Sequence, residues 1–399
     1  MIDSFGEKTS GPIKASVLTR DSALDAIARE WDELLEESDQ HVFFLRWSWN
    51  RLWWRIMRPA DSQLFIVTCR NARNELVGLA PFYVRQRHTA GIPHVRELLF
   101  LGTGIYAQTS EYLDIVARRG YEFGVAETVV QYLQRSSDWD RLCLQDLPAN
   151  SRMLGHLRRA LGEQTQIDVG SRAYWVDTTE DWETFVAGLS SSARNNVLRR
   201  TRRLLNSHAC HLSRVETADE LEPAMDELVR LHQLRWQSRG EPGTFAIPNL
   251  EEFLKEVMRA SLIEGRLGLT TLEVDGKTAA VRLDFIDNHI AHAFQAGYDP
   301  TQANQGLGSV MNGLCIRACI EDERIREYDL MGGNSQYKEA WTKNFKESVC
   351  LALDRPGTRS AAYKGIELAK EMGKSLLRAT VPGPIRLAGH RLITQRHYK

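Results

Sequence analysis

Residues 297–319 read Gly297-Tyr-Asp-Pro-Thr-Gln-Ala-Asn-Gln-Gly-Leu-Gly308, then Ser309-Val-Met-Asn-Gly-Leu-Cys-Ile-Arg-Ala-Cys319. Leu307, Val310, Met311, Leu314, Cys315, Ala318 and Cys319 recur at helical spacing, which predicts a helix with one buried face. The residues before it form a turn rich in Gly and Asn. A helix start presents N–H groups without intrahelical partners and a partial positive charge, so it favours an anion. Glycines at 306 and 308 remove the Cβ atoms that would hold a phosphate away from that backbone. Taken alone, two glycines fit an ordinary strand-to-helix loop equally well.

Upstream, Leu269–Val274 and Thr278–Phe285 surround Asp275-Gly276, a strong hairpin signal, and Ile290–Ala296 follows Asp287-Asn288 in the same manner. This predicts a three-strand antiparallel meander running into the glycine turn. Helices are expected over about 191–206, 217–238 and 249–262, and short strands over Glu327–Leu330 and Ser348–Leu353. The first half reads as a strand (Ile13–Leu18), a helix (Ser22–Glu37) and a tryptophan-dense helix (Phe43–Met57). A hairpin follows, Leu64–Cys69 and Leu76–Val84 around Asn71–Asn74, and then strands at Leu113–Val116 and Arg141–Gln145 bracketing a helix near 121–135. The fold class is therefore α/β (α+β), and 399 residues exceed one compact domain. No repeat with a period of 20 to 50 residues is visible, which argues against solenoids and propellers.

Composition narrows the function. With 51 basic and 52 acidic residues the chain is not a bulk polycation, which excludes general nucleic-acid binding driven by net charge. The balance hides a basic end, since Arg355–Lys399 holds ten Lys/Arg against two Asp/Glu. The six cysteines are scattered, with no CxxC pair or zinc spacing, and point to a reducing cytoplasm without a metal site. No apolar run approaches the roughly 18 residues needed to cross a bilayer. In the tail, Ala362, Ile366, Ala369, Met372 and Leu376 fall on one side of a helical stretch ringed by lysines. That pattern suits peripheral contact with an anionic membrane surface at the inner face through residues 356–399, or packing back on the protein.

The order of meander, Ala-Gly-Tyr-Asp-Pro strand end, glycine turn, amphipathic helix, Tyr328-Asp-Leu-Met-Gly-Gly333 and Tyr337-Lys-Glu-Ala-Trp341 resembles the GNAT acyltransferases. More narrowly, it is similar to the bacterial branch associated with cellulose and exopolysaccharide synthesis, itself related to the Fem-type aminoacyl transferases with two fused GNAT-like domains. Phe44-Leu-Arg-Trp47, Leu101-Gly-Thr-Gly104, Glu111-Tyr-Leu-Asp114 and the arginine-rich stretch 194–203 add to the likeness. The resemblance implies two GNAT-like domains, 13–170 and 171–355, each a mixed, mainly antiparallel sheet flanked by helices, followed by a basic amphipathic tail at 356–399. It also implies acyl transfer from acyl-CoA as co-substrate to an amine of a sugar or polysaccharide precursor or of a sphingoid-type lipid, with no permanently bound cofactor. In a Fem-like alternative the donor is aminoacyl-tRNA. A third reading is a non-catalytic GNAT-like subunit of a polysaccharide assembly. The glycine turn carries Ala303 where the family usually has Arg or Gln, with Gln302 and Gln305 beside it.

The candidate residues follow. Gln305, Gly306, Leu307 and Gly308 would cradle the pyrophosphate. An amine with a pKa near 10 must lose a proton before attack, and the departing thiolate gains from a proton donor. Tyr298 could supply that proton, and Asp299, Asp329 or His292 could orient or deprotonate the amine. His292 is expected to enter the cleft beside Arg282 and Asp284. Tyr337 and Lys338, and in the first half Tyr112 and Asp114, are candidates for substrate contact. Each also has a structural reading: an Asp-Pro turn for Asp299, a strand-end cap for Asp329 and Asp114, core packing for Tyr298 and His292, and a solvated loop for Lys338. Trp47, Trp49, Trp53 and Trp54 read as core. Arg194, Arg199, Arg200, Arg202 and Arg203 lie together without an acid and form an anion-attracting helix face.

Overall fold

The computed structural model describes residues 12–87, 95–105, 109–333, 335–357 and 365. Among them the chain divides into two units. The first runs to Val169 and resumes at Val349, and the second is Gly170–Ser348. Most of the tail expected at 356–399 lies outside the described residues.

The first unit starts with β1 (Lys14–Leu18), α1 (Asp21–Ala26), α2 (Ala28–Glu36) and α3 (Trp47–Ile56). The single helix expected over Ser22–Glu37 is broken at Ile27, which leaves helical geometry with φ −103° and ψ 10°. Strands β2 (Ser62–Arg70), β3 (Leu76–Arg87) and β4 (Val95–Phe100) continue an antiparallel meander, and β6 (Arg141–Pro148) adds in parallel to β4. Between them lie the two-residue β5 (Val116–Ala117) and α4 (Glu122–Arg135). The strand expected at Leu113–Val116 shrinks to β5 because the Leu113 N–H turns to the Asp146 carbonyl and the Ile115 N–H to the Asp114 carboxylate. Helix α5 (Arg152–Leu161) and strand β7 (Gln166–Asp177) end this part of the chain. Trp31, Trp49, Trp53 and Trp54 are buried in the core, each with its body against apolar neighbours. Gly78 on β3 is required by packing, since a Cβ there would meet Val125 of α4 at 2.5 Å.

The second unit takes up β7 and adds α6 (Trp182–Gly188), α7 (Ser191–Ser207), β8 (Cys210–Arg214), α8 (Ala218–Gln237) and α9 (Leu250–Ile263). It continues through β9 (Leu267–Val274), β10 (Lys277–Asp287), β11 (Ile290–Tyr298), α10 (Leu307–Glu321), β12 (Glu327–Asp329), α11 (Ser335–Lys338) and β13 (Phe345–Asp354). Strands β8 to β11 form an antiparallel ladder, with Asp275 (φ 51°) and Gly276 (φ 74°) making the tight β9–β10 turn. Strand β12 then pairs in parallel with β11, and β7 antiparallel with β12. Helices α6, α7 and α10 pack on one face of this sheet around Val310, Met311, Ile316 and Tyr328. Helices α8 and α9 cover the other face.

The two units share one plan: an antiparallel meander whose last strand is joined through a helix to a parallel neighbour. In the second unit the helix is α10 and in the first it is α4.

Candidate active site

In the second unit, β11 and β12 pair only over Ile290–His292 and Glu327–Asp329, after which β11 continues to Tyr298 paired with β10 on its other side. The two parallel strands therefore part beyond His292 and Asp329 and open a notch on that side of β11. Within this stretch the ladder to β10 is irregular. Leu283 faces Gln295 and Asp284 faces Ala293, so the register shifts by one residue at Phe294, a β-bulge. The Ala296 N–H donates to the Gln295 side-chain oxygen at 3.2 Å.

Beyond Tyr298 the chain makes a tight turn over Pro300–Gln305 and enters α10 through Gly306, which is left-handed (φ 68°, ψ 37°). A non-glycine residue would be strained there. The Ser309 and Val310 N–H groups turn back to the Gly306 carbonyl, while those of Leu307 and Gly308 are first-turn donors without intrahelical acceptors. Arg200 of α7 lies against Gly306, where an added Cβ would fall 2.4 Å from its Nη1. Arg199, Arg202 and Arg203 instead line a separate surface depression of about 360 Å³ with Asn195, Leu198 and Asn206. Gln305 is tied from behind, its amide 3.4 Å from His208 Nε2, and His208 Nδ1 is 2.6 Å from Asp275.

Tyr298 stands where helices from both faces reach the end of β11. Its ring edge would lie 3.1 Å from a Cβ at Gly308, so a side chain there would press the ring back by a few tenths of an ångström. On its other side the Arg235 guanidinium lies 4.5 Å from the ring centroid, and Arg239 Nη2 donates to the phenol oxygen at 3.3 Å. Tyr337 of α11 comes to the same turn, its hydroxyl donating to the Gly308 carbonyl at 3.4 Å. Trp341, also from the 337–341 motif, is buried beside Gly313 of α10.

His292 and Asp329 are brought together, Nδ1 to Oδ2 at 3.1 Å, where the parallel pairing ends. Asp329 Oδ1 also accepts from the Met331 N–H at 2.7 Å, so the carboxylate orients the imidazole while fixing the following turn. The sequence expectation that His292 would lie beside Arg282 and Asp284 is corrected. His292 is opposite Phe285 in the ladder and shares its face, whereas Arg282 and Asp284 alternate to the α10 face. There Arg282 Nε donates to Asp284 at 2.8 Å and its Nη1 to Asn312 of α10 at 3.4 Å, and Tyr328 donates to Asp284. Burial pushes the Asp284 carboxyl up, against the pull of Arg282.

Other candidates are held by their own surroundings. Burial alone would raise the Asp299 carboxyl, but donors from Thr301 and Gln302 hold it below the usual range as the cap of its Asp-Pro turn. The Lys338 ammonium turns inward to the carbonyls of Met331 and Gly332. Tyr112 is half-buried at a left-handed position (φ 57°) in the first unit. The expectation of substrate contact at Asp114 is corrected, because the carboxyl is 1% exposed and both oxygens are occupied, by the Ile115 N–H and the Ser151 hydroxyl. Burial pushes it up to about 7.

The helix that matches α10 in the first unit begins differently. Glu122, at the first position of α4, accepts the Gly120 N–H at 2.8 Å, so that helix start carries its own carboxylate where α10 has bare glycines. An anion is disfavoured at the first and favoured at the second.

Residues 191–339 match the family described as acetyltransferase (GNAT) domain. That match lies within the second unit. No curated protein sequence matches the chain. Among solved structures, the fold is similar to FemX, at 8% identity and TM-score 0.59 over 89% of this chain and 100% of that one. It is also similar to a conserved protein of unknown function from Bacteroides thetaiotaomicron, at 13% identity and TM-score 0.54 over 85% and 100% of the two chains. L-PGS from Bacillus licheniformis shares 11% identity at TM-score 0.51 over 85% and 93%. At these identities the likeness is one of fold.

The sequence did not single out Arg235 and Arg239, which lie against Tyr298, or the Phe294 bulge. Arg235 and Arg239 had a faint signal, since two arginines four apart at a helix end meet on one side. The bulge had none.

Proposed function

We propose that the chain is an acyl-CoA-dependent N-acyltransferase whose donor site is the start of α10. The observation that carries this reading is Gly306: a left-handed glycine with Arg200 against it, opening a helix whose first two N–H groups, of Leu307 and Gly308, have no intrahelical acceptor. Those donors and Arg200 would hold the pyrophosphate, and the notch beyond His292 and Asp329 would take the thioester arm next to the Phe294 bulge. The amine attacks the thioester carbonyl, the C–S bond breaks, and the products are an amide and the free thiol. Tyr337 and Tyr298, on either side of Gly308, are placed to protonate the leaving thiolate. His292, oriented by Asp329, is the group we assign to receive the amine proton through water. We assign the acceptor amine to a sugar or polysaccharide precursor or a sphingoid-type lipid, and the protein to the cytoplasm. Among the described residues no helix is long and apolar enough to cross a membrane.

The test is a thiol-release assay with acetyl- and long-chain acyl-CoA against amine panels, alongside equilibrium binding of acetyl-CoA. Absence of both binding and release would remove the enzyme reading. The depression lined by Arg199, Arg202 and Arg203 favours one second reading, an aminoacyl-tRNA donor, which ribonuclease sensitivity of the activity would reveal.

A further inference from the structure

Arg230, five residues before Arg235 on α8, pairs with Glu227 at 2.6 Å. Among the described residues neither Arg235 nor Arg239 has an acidic side chain within ion-pair distance. The Arg235 Nε is shut off from solvent and has no hydrogen-bond partner among the described residues. A guanidinium carries its five donors in a planar fork suited to a carboxylate or phosphate, and a buried donor left unmade is costly. Two such cations at one place ask for an anion that the described residues do not provide.

The aromatic groups around them fix the forks in place. Arg235 lies over Tyr298 at 4.5 Å and near Trp236 at 5.6 Å, and Arg239 lies 6.0 Å from Trp236. Trp236 is anchored by its own N–H, which donates to His232 Nε2 at 3.0 Å. His232 can accept because burial, helped by the charge of Arg235, lowers it to about 4, while Gln233 takes its other nitrogen. The Gln233 amide closes the network on the Pro242 carbonyl. The cations thus rest on a rigid platform on the Tyr298 side of the turn, whereas Arg200 and the open N–H groups lie on the Gly306 side. The donor's phosphates have their own partners there.

We propose that Arg235 and Arg239 form an anion subsite that selects amine acceptors carrying a carboxylate or a phosphate. This rests on the acyltransferase reading for the identity of the bound molecule as acceptor, while the subsite itself is independent of it. With the anion on Arg235 and Arg239, the amine of the same molecule reaches past Tyr298 toward the notch in β11. The neutral analogue leaves both guanidinium groups unanswered.

Two measurements test it. With saturating acetyl-CoA, thiol release is compared for matched pairs: phosphoethanolamine against ethanolamine, glucosamine 6-phosphate against glucosamine, glycine against glycinamide. The expected result is a preference of roughly tenfold or more in kcat/KM for the charged member, since a site built for a polar group rejects the analogue lacking it. The phosphate and carboxylate arms separate the two sources of charge. In Arg239→Gln the preference should fall to about threefold or less with acetyl-CoA affinity unchanged, and Arg239→Lys should lie between because it keeps charge without the fork. Equal rates within each pair, a preference that survives Arg239→Gln and Arg235→Gln, or a loss of acetyl-CoA affinity in Arg239→Gln would each overturn the proposal. The second measurement uses no donor: modification of Arg235 and Arg239 by an arginine-specific dicarbonyl, mapped by peptide mass, with inorganic phosphate or acetate as protecting probe. Selective protection of these two arginines supports the subsite even if acetyl-CoA never binds, which would instead sink the donor reading. Acetyl-CoA binding with no protection by either anion sinks the subsite alone.

Discussion

Replacing Gly306 by Ala separates the two things this glycine does. Its φ of 68° costs an L-residue about 1–2 kcal/mol, a term that falls on folding and not on ligand binding. The new Cβ would also lie 2.4 Å from Arg200 Nη1 and 2.7 Å from its Cδ, so the guanidinium must swing aside. A charge-assisted hydrogen bond contributes about 1.5–3 kcal/mol, which at 1.4 kcal/mol per decade makes the expected loss of acetyl-CoA affinity roughly 10- to 100-fold. Arg200→Gln should lose a similar factor without the folding cost. Because both changes remove the same contact, the double variant should bind no worse than either single one, a coupling that a double-mutant cycle measures directly. Isothermal titration with acetyl-CoA gives the affinities, and urea unfolding gives the stabilities. The reasoning is refuted if Gly306→Ala is destabilised yet binds acetyl-CoA like the parent, or if the two losses add.

Three further outcomes are expected. Tyr337→Phe should lower kcat by about 10²-fold with KM nearly constant, as for loss of a proton donor, and Tyr298→Phe should cost less; steady-state kinetics showing the reverse order would reassign the roles. Gly297→Ala should destabilise by about 1–3 kcal/mol in urea unfolding, because its Cβ would lie 2.6 Å from the His232 backbone nitrogen and force α8 away from β11; an unchanged midpoint would contradict that packing. For Asp114, raised to about 7 in the fold and near 3.9 when unfolded, the folded state holds the extra proton between these values. Stability should therefore fall as pH rises from about 4 to 7, by up to ~4 kcal/mol, and level off above that. Asp114→Asn, which keeps a side-chain acceptor and cannot ionise, should lack this slope in denaturation series at fixed pH. A wild type with no such slope would mean the carboxyl is solvated.

The parts of the fold legible in the sequence are those set by local rules. Asp275-Gly276 specifies its hairpin through left-handed positions, and the 3.6-residue spacing from Leu307 to Cys319 specifies α10. What escaped was decided by partners far along the chain. Strand β8, Cys210–Arg214, is short, largely polar and recognisable only once β9 is beside it. The face of His292 was misread against Arg282 and Asp284 because the pairing of two strands, one of them bulged, sets that relation. The union of His292 with Asp329 depends on a parallel pairing three residues long, for which neither segment carries a signal of its own. Asp114 looked like an exposed strand-end acid, and Ser151, 37 positions away, makes it a buried one.

The same logic explains why, of two helix starts built on one plan, only that of α10 is the one we assign to the donor's phosphates. In both units an antiparallel meander feeds a helix that returns in parallel, so topology alone would give each a helix start of the same kind. Local sequence breaks the equivalence. At α4 the residues Gly120-Tyr-Glu122 put a carboxylate on the chain's own N–H at 2.8 Å. At α10 the residues Gly306-Leu-Gly308 carry no acid and bring Arg200 and Tyr298 against glycines, where a Cβ would push either side chain aside. An internal carboxylate is present at effectively high concentration and repels a second anion, so α4 is closed to phosphate by its own first turn. The plan is shared; a glutamate at one helix start and two glycines at the other are the reason we place the ligand at the second.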